Sequence, residues 1–350
     1  MNAPDMEAAV LAFLRAQDML AADDSPVMTP LAGGVSSDLW QIELPGRTVC
    51  VKAALPRLKV PGEWLAPVSR NRVECDWLLF AAPLCPGQVP RVLAHDPDAG
   101  LFAMEYLPPE RYPVWKAQLL TGHVDLQIAC QVGDLVGRLH AASAADPDTA
   151  ARFATDENFD ALRIGPYLRA TAARHPDLQH LFAELAQRTA STHLAVVHGD
   201  VSPKNILVGP DGPVLLDAEC AWFGDPAFDV AFCLNHLLIK SVLLPGHADA
   251  LLSAAQGLAS SHARYIGWEK PEQLEQRVAS LLPALALARV DGTSPVEYLD
   301  ASQRDVIRGI GRSLLQAAPG NLNELLSRWT AAAARRPDIR QRHRRPALNP

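Results

Sequence analysis

The chain has little of what marks several common protein classes. Its six cysteines (Cys50, Cys75, Cys85, Cys130, Cys220 and Cys233) are scattered, with no Cys-x-x-Cys pair and no nearby His cluster. That pattern argues against zinc or disulfides and for reduced thiols packed as small hydrophobes. No run approaches the ~18 consecutive apolar residues that a membrane helix needs, so no membrane is expected as a partner. Positive charge is not in surplus: 32 Lys+Arg stand against 39 Asp+Glu, a formal net charge of −7. Nucleic acid is therefore not an expected partner either. Lysine is scarce, with six in 350 residues. Internal repeats and low-complexity linkers are missing, and the composition excludes disorder, collagen and coiled coil. Asp5 and Glu7 stand where a signal peptide would be basic, so a cytoplasmic location is expected. Nothing in the sequence sets an oligomeric state.

What is present is an ordinary globular profile, 49% hydrophobic and 20% charged. At roughly 150 residues per domain the length suggests about two domains. The 29 prolines exceed the usual ~5% and predict sharp element boundaries. Apolar spacing predicts an amphipathic helix over Met6–Leu20, then strands over 39–44 and 48–53 joined by the turn Pro45-Gly46. A helix is expected over 71–80 and two further strands over 91–94 and 101–106. Beyond Pro108-Pro109 the helical period takes over, at 124–145, 175–190 and nearly everywhere after Phe228, with short strands at 195–197, 206–208 and 214–216. The reading is of a strand-rich front lobe over 1–107, a helix-rich rear lobe over 108–333, and a cleft between them. Residues 334–350, Arg-rich and broken by proline, are expected to form a solvated, flexible tail.

The sharpest signal is His198-Gly199-Asp200-Val201-Ser202-Pro203-Lys204-Asn205, entered from one apolar strand and left by another. Twelve residues on, Val214-Leu215-Leu216-Asp217 again ends a buried strand in a carboxylate. Strand ends converging on one edge can set Asp200, Asn205 and Asp217 around one point, a hard-oxygen set suited to Mg²⁺. Asp and Asn as plain turn residues explain either loop alone, but explain the two together poorly.

At these residues the chain resembles the aminoglycoside phosphotransferase and choline kinase group, relatives of the protein kinases. The likeness rests on His198-Gly-Asp200-x-x-x-x-Asn205, Leu216-Asp217 and Gly224-Asp225-Pro226-x-x-Asp229, and extends loosely over residues 25–300. It implies an α+β, bilobal protein-kinase-like fold with a small antiparallel-sheet N-lobe and a larger, mainly helical C-lobe. It also implies ATP and Mg²⁺ as cofactors, and transfer of the γ-phosphate to a hydroxyl of a small molecule. By that resemblance Asp200 is the catalytic base, Asn205 and Asp217 bind metal, and His198 and Asp229 support the loop from behind. Asp217-x-Glu219 looks like the methylthioribose kinase and choline kinase branches, which adds Glu219 as a metal ligand against its reading as a surface carboxylate. Lys52, on an apolar strand, looks like the phosphate-pairing lysine. Glu74 is its expected partner, or else an exposed helix residue beside Arg70. Gly33, Gly34, Ser36 and Ser37 form either a phosphate-cradling turn or a plain hairpin. Glu105 and Leu107 lie where relatives bind adenine through backbone groups.

No long segment separates Asp217 from Gly224, unlike a peptide-substrate kinase, so the acceptor is expected to be small. Over residues 241–334 there are 8 Lys+Arg and 9 Asp+Glu, without the acidic cluster that a polycationic aminoglycoside calls for. A sugar, a hydroxy acid or its thioester, or methylthioribose fits better. Aminoglycoside transfer, and a silent nucleotide-binding relative, remain the alternatives. Ser294, Pro295 and Glu297 read as a helix start with a capping box. Arg289 and Asp291, just before it, are the expected acceptor contacts.

Overall fold

The computed structural model describes residues 3–31, 37–54 and 69–334; the expected Gly33, Gly34 and Ser36 turn and the 335–350 tail lie outside them. Helix α1 (Ala3–Ala16) opens the chain. It stops short of the expected Leu20 because Asp18 takes the left-handed backbone, φ 54°, which ends an α-helix. Strands β1 (Val27–Pro30), β2 (Ser37–Leu44), β3 (Arg47–Ala54), β4 (Val92–Asp96) and β5 (Leu101–Glu105) form one antiparallel sheet in the order β1-β2-β3-β5-β4. Helix α2 (Arg70–Leu84) crosses between β3 and β4.

Strand alternation decides what each face does. Val49, Val51 and Ala53 of β3 join Ile42, Leu101 and Ala103 under Val10, Phe13 and Leu14 of α1, a small closed core. The other face of the central strand β3 carries Cys50 and Lys52, with Lys52 paired opposite Leu39 and Phe102. Phe102 belongs to the second, larger core together with Val73, Trp77 and Leu78 of α2 and the interior of the helical part. The sheet therefore turns its Lys52 face toward the rest of the molecule.

The rear part comprises α3 (Trp115–Leu120), α4 (Leu126–Ser143), α5 (Pro147–Arg152), α6 (Asp156–Phe159), α7 (Ala170–Arg174), α8 (Gln179–Ser191), α9 (Ala227–Leu243), α10 (Ala248–Ala263), α11 (Pro271–Asp291), α12 (Ala301–Gln316) and α13 (Leu322–Ala334). Helix α9 is buried all round, the mark of a central core helix. Four short strands interrupt: β6 (Ala195–Val197) pairs with β9 (Trp222–Gly224), and β7 (Ile206–Gly209) with β8 (Gly212–Leu215). The fold is thus the expected antiparallel sheet joined to a helical part. Between α6 and α7, residues Asp160–Arg169 wind as a π-helical stretch, which the apolar spacing does not reveal. Pro166 lies inside it and has no N–H for the ordinary ladder.

The expected helix start at Ser294-Pro295-Glu297 is not formed. The capping box sits at Asp300 and Gln303, whose side chains exchange bonds of 2.8 and 3.0 Å with each other's backbone N–H. Ser294 instead turns its carbonyl and hydroxyl to Arg289, so its side chain is not free to cap. Among the described residues no single helix is long and apolar enough to cross a membrane.

Helices α4 and α10 approach closely because Gly133 has no side chain; a Cβ there would lie 2.1 Å from the Leu258 carbonyl oxygen. Alanine gains about 1 kcal/mol in helix propensity over glycine, but forcing a methyl into that contact costs about 1–3 kcal/mol. Gly133→Ala is therefore expected to lower the urea midpoint. A midpoint at or above that of the wild type contradicts the α4–α10 contact.

Candidate active site

The His198–Asn205 loop is held from beneath. Asp229, in the first turn of α9, accepts from the backbone N–H groups of His198 (2.7 Å) and Gly199 (2.8 Å). His140 Nε2 lies 3.2 Å from the same carboxylate, and its Nδ1 lies 2.9 Å from His262 Nε2. A carboxylate cannot donate, so His140 donates to Asp229 and accepts from His262. Gly199 takes φ +78°, and a Cβ there would meet the Cys220 carbonyl at 2.7 Å; only glycine fits this turn without a shift.

His198 links two loops. Its Nδ1 accepts from the Asp200 N–H (3.1 Å), which leaves Nε2–H to donate to the Leu216 carbonyl (3.1 Å). Burial pulls its pKa down, in keeping with that neutral tautomer. Asn205 Nδ2 donates to the Asp200 carbonyl at 3.1 Å, and the Leu216 N–H donates to the Asn205 carbonyl at 2.9 Å. Asp200, Asn205 and Asp217 are thereby set in one frame. Asp217 itself has φ 67°, a conformation that costs a non-glycine residue energy and recurs at functional sites.

Lys52 joins this frame from the sheet. Its Nζ lies 2.6 Å from Asp217 Oδ1 and 2.5 Å from Glu74 Oε2, with 4% of the lysine exposed. Burial pulls the Lys52 ammonium down, but Asp217 and Glu74 outweigh it and hold it above its ordinary range. Burial likewise opposes ionisation of Asp217, yet Lys52 and Lys204 hold its carboxyl well below the usual range. Glu74 behaves differently. Burial drives it up to about 7 against the pull of Lys52.

Asp200 faces two further cations, Lys204 Nζ at 3.0 Å and Arg163 Nη2 at 2.9 Å. Burial would raise its pKa, but Lys204 and Arg163 together hold it below the ordinary value. Asp200 Oδ1 is buried with no hydrogen-bond partner among the described residues. Beside these groups opens a cleft of about 220 Å³. Lys52, Glu74, Lys204, Asn205 and Asp217 line its polar end; Leu39, Leu78, Met104, Val114 and Leu207 line an apolar slot.

The other expected site residues fall out as follows. Ser37 is buried and lines the cleft. The Glu105 N–H is taken by the Arg91 carbonyl (2.9 Å), and its carboxylate faces Arg91 (3.4 Å). Leu107 is half-buried just beyond β5, and Met104 is the side chain of that segment that lines the cleft. Glu219 lies 3.1 Å from the fully buried Arg70, so an arginine already claims the expected metal ligand. Arg289 is buried and reaches Tyr167 Oη (3.2 Å). Asp291 is held elsewhere, by Arg308 (2.7 Å) and His175 (3.0 Å). Sequence reasoning gave no role to Lys204, although it lies inside the loop motif, four residues after Asp200. It missed Arg163 altogether: the residue sits in the π-helical stretch, 37 positions before Asp200, and no local pattern announces it.

The Glu74 carboxyl titrates near 7 in the fold and near 4.5 as a free side chain. The folded state therefore holds the proton more tightly. The stability this contributes is complete below pH 4.5 and is lost as pH rises through 7. Urea unfolding at pH 5 and pH 8 should show the wild type losing up to about 3 kcal/mol more than Glu74→Gln over that interval. Equal pH slopes for the two proteins contradict the raised carboxyl.

Comparison with known proteins fits this geometry. The methylthioribose kinase of Pectobacterium atrosepticum is 29% identical over 224 residues, 57% of this chain and 56% of that protein. That of Yersinia enterocolitica is 28% identical over 250 residues, 63% and 61% of the two. The chain thus spans a little over half the length of the curated relatives it matches. Among solved structures, a choline/ethanolamine kinase family protein from Mesorhizobium loti aligns over 94% of this chain and 98% of its own, with TM-score 0.53 and 19% identity. Amicoumacin kinase, in complex with AMP-PNP, Ca²⁺ and Ami, aligns over 91% and 97%, with TM-score 0.58 and 14% identity. These likenesses show the protein-kinase-like fold. A model of the phosphotransferase enzyme family (APH) matches residues 27–268, and the chain belongs to that family.

Proposed function

We propose that the protein is an ATP- and Mg²⁺-dependent kinase that moves the γ-phosphate to a hydroxyl of a small molecule. The observation that carries this reading is the convergence of Lys52, Asp217 and Asn205 on one cleft, from a sheet and from two loops distant from it in sequence, with Asp200 held against Asn205 at 3.1 Å and against the cleft-lining Lys204 at 3.0 Å. The residues fit a divalent metal: Asp217 and Asn205 offer hard oxygens at the cleft wall, and Asp217 stays ionised. Mg²⁺, when bound, supplies charge that offsets the triphosphate. Glu219 is a weaker part of that donor set, since Arg70 competes for its carboxylate.

The chain's own groups divide the work. Lys52, steadied by Glu74, presents a fixed positive charge to the phosphates. The apolar slot lined by Leu39, Leu78, Met104, Val114 and Leu207 is the place for the base. Lys204 bridges the cleft and Asp200, and so sets a cation where the transferred group would pass. Asp200 orients the acceptor hydroxyl through its unpartnered oxygen Oδ1. With a depressed pKa it is a weak base, suited to positioning the hydroxyl and taking its proton late.

Acceptors of the methylthioribose or choline type are carried by the relatives' names, not by this site. An aminoglycoside acceptor is disfavoured, because Arg163 and Lys204 crowd the base with positive charge. All six cysteines are free thiols, as a reducing cytoplasmic setting requires.

Asp200→Asn keeps the shape of the loop and removes the base. With any acceptor that the wild type turns over, ADP release should fall by about 10²–10⁴, while ADP affinity stays within about threefold of wild type. Turnover within tenfold of wild type removes Asp200 from the mechanism. Because Lys204 and Arg163 keep Asp200 ionised, kcat should show no acidic limb between pH 5 and 7; a limb there that Asp200→Asn abolishes contradicts the depressed carboxyl.

A further inference from the structure

Past Asp200, the Arg163 guanidinium lies over two rings, 5.6 Å from the centroid of Tyr167 and 5.7 Å from that of Phe232. Those rings lead to a second group of cations. Arg289 lies 5.8 Å from the Tyr167 ring, and its Nη1 donates to Tyr167 Oη (3.2 Å), to the Ser294 carbonyl (2.6 Å) and to Ser294 Oγ (3.2 Å). Every one of those acceptors is neutral. Lys240 is wholly buried in the last turn of α9; among the described residues its Nζ reaches only the His236 carbonyl and Tyr298 Oη, both at 3.4 Å, and faces the Tyr298 ring at 5.1 Å. His236 packs edge-on against Phe232.

The charges here do not balance. Lys116 is paired with Glu297, and Arg163 and Lys204 share Asp200. Among the described residues, Arg289 and Lys240 are left with no carboxylate within ion-pair distance, although both are more than nine-tenths buried. Two atoms of the group are buried with no partner among the described residues, Arg289 Nε and His236 Nε2. Buried cations are ordinarily matched by an anion, and buried donors by an acceptor. Burial, with Lys116 and Arg289 acting in the same direction, pulls the Lys240 ammonium down to about 7. Burial also pulls His236 well below its ordinary value, and Arg289, Lys240, Lys204 and Lys116 all add to that effect. Glu297 is the carboxylate that bears most on Lys240, and Lys116 is already paired with it.

We propose that Arg289 and Lys240 form an oxyanion subsite of the acceptor pocket, so that the compound phosphorylated carries a carboxylate or a phosphate group as well as its hydroxyl. This rests on the kinase reading above and narrows it, from any small alcohol to an anionic one. Tyr167 and Arg163 connect the two ends of that acceptor: the oxyanion lies at Arg289, and the hydroxyl at Asp200. Arg289 suits a planar oxyanion because its guanidinium can offer two parallel N–H donors, Nε among them. The same excess of positive charge excludes polycationic acceptors by repulsion.

The test uses simple anions as probes and needs no knowledge of the acceptor. Thermal unfolding of the full chain is followed in sodium phosphate, in sodium acetate and in sodium chloride at equal ionic strength. Wild type is compared with Arg289→Gln, Lys240→Met and Arg264→Gln, the last an exposed arginine outside the group. Phosphate or acetate should raise the Tm of wild type and Arg264→Gln by about 3 °C over chloride, with the rise lost in Arg289→Gln and Lys240→Met. Protection no greater than in chloride, or equal in all four proteins, overturns the subsite and leaves the kinase reading untouched; Lys240→Met decides alone if Arg289→Gln does not fold. A second arm measures ADP release from Mg·ATP with matched acceptors, 4-hydroxybutyrate against 4-hydroxybutyramide and glycerate against glyceramide. Faster turnover of the acid in either pair supports the anionic acceptor, and faster turnover of an amide overturns it. Failure of the kinase reading has a different signature: no binding of Mg·ADP alongside intact Arg289-dependent protection, which overturns the acceptor assignment alone.

Discussion

Lys52 sits on the central strand of the sheet with almost no exposed surface, and an ammonium so placed has to be matched by carboxylates. The two that match it come from different parts of the molecule. Glu74 is carried by α2, and Asp217 by the loop after β8, 165 residues away in sequence. One buried charge therefore fixes the sheet, the α2 helix and the helical part relative to one another. The larger core reinforces this, since Phe102 and Trp77 belong to the same apolar cluster as the interior of α9. Any rearrangement that pulls Asp217 from Lys52 leaves an unpaired charge in a dry place, which makes the alignment of the cleft a matter of electrostatics as much as packing.

The same economy governs the loops. His198 and Asp229 do not themselves line the cleft, yet between them they accept or donate four bonds that hold the Asp200 and Asp217 loops in register. Asp229 is in turn oriented by the His140–His262 pair. Phosphoryl transfer asks a protein mainly for fixed geometry and fixed charge, and this frame provides both before any ligand arrives. Around the cleft the cations have carboxylate partners: Lys52, Lys204 and Arg163 face Glu74, Asp217 and Asp200. Around Arg289 and Lys240 they do not. The contrast between paired and unpaired cations is what distinguishes the cleft from the proposed oxyanion subsite.

Much of this was legible in the residues. The Asp200, Asn205 and Asp217 frame could be read because its members lie within 18 positions of one another and are bounded by apolar strands whose pairing follows from alternation. The Lys52–Glu74 pair could be read because a lysine on an apolar strand, followed by an amphipathic helix, has few other partners. Arg163 and Tyr167 could not, since a π-helical stretch has no period that apolar spacing reveals, and their neighbours Asp200 and Phe232 come from remote elements. Arg70–Glu219 was hidden for the same reason, a pair 149 residues apart that alters the setting of an expected metal ligand. Ser294-Pro295-Glu297 misled because the true cap, Asp300 with Gln303, has the same spacing of side chains a few residues later. Short motifs announce themselves; contacts made by tertiary packing do not.

The central claim is that Asp217 and Lys52 frame a site for a metal-bound triphosphate. Isothermal titration of the wild-type protein with ADP, once with Mg²⁺ and once with EDTA, tests it most directly. The account predicts binding that is at least about tenfold tighter with Mg²⁺, a difference of 1.4 kcal/mol, and that Asp217→Ala abolishes this difference. Equal affinity with and without the metal, or a Mg²⁺ dependence that survives in Asp217→Ala, would contradict it.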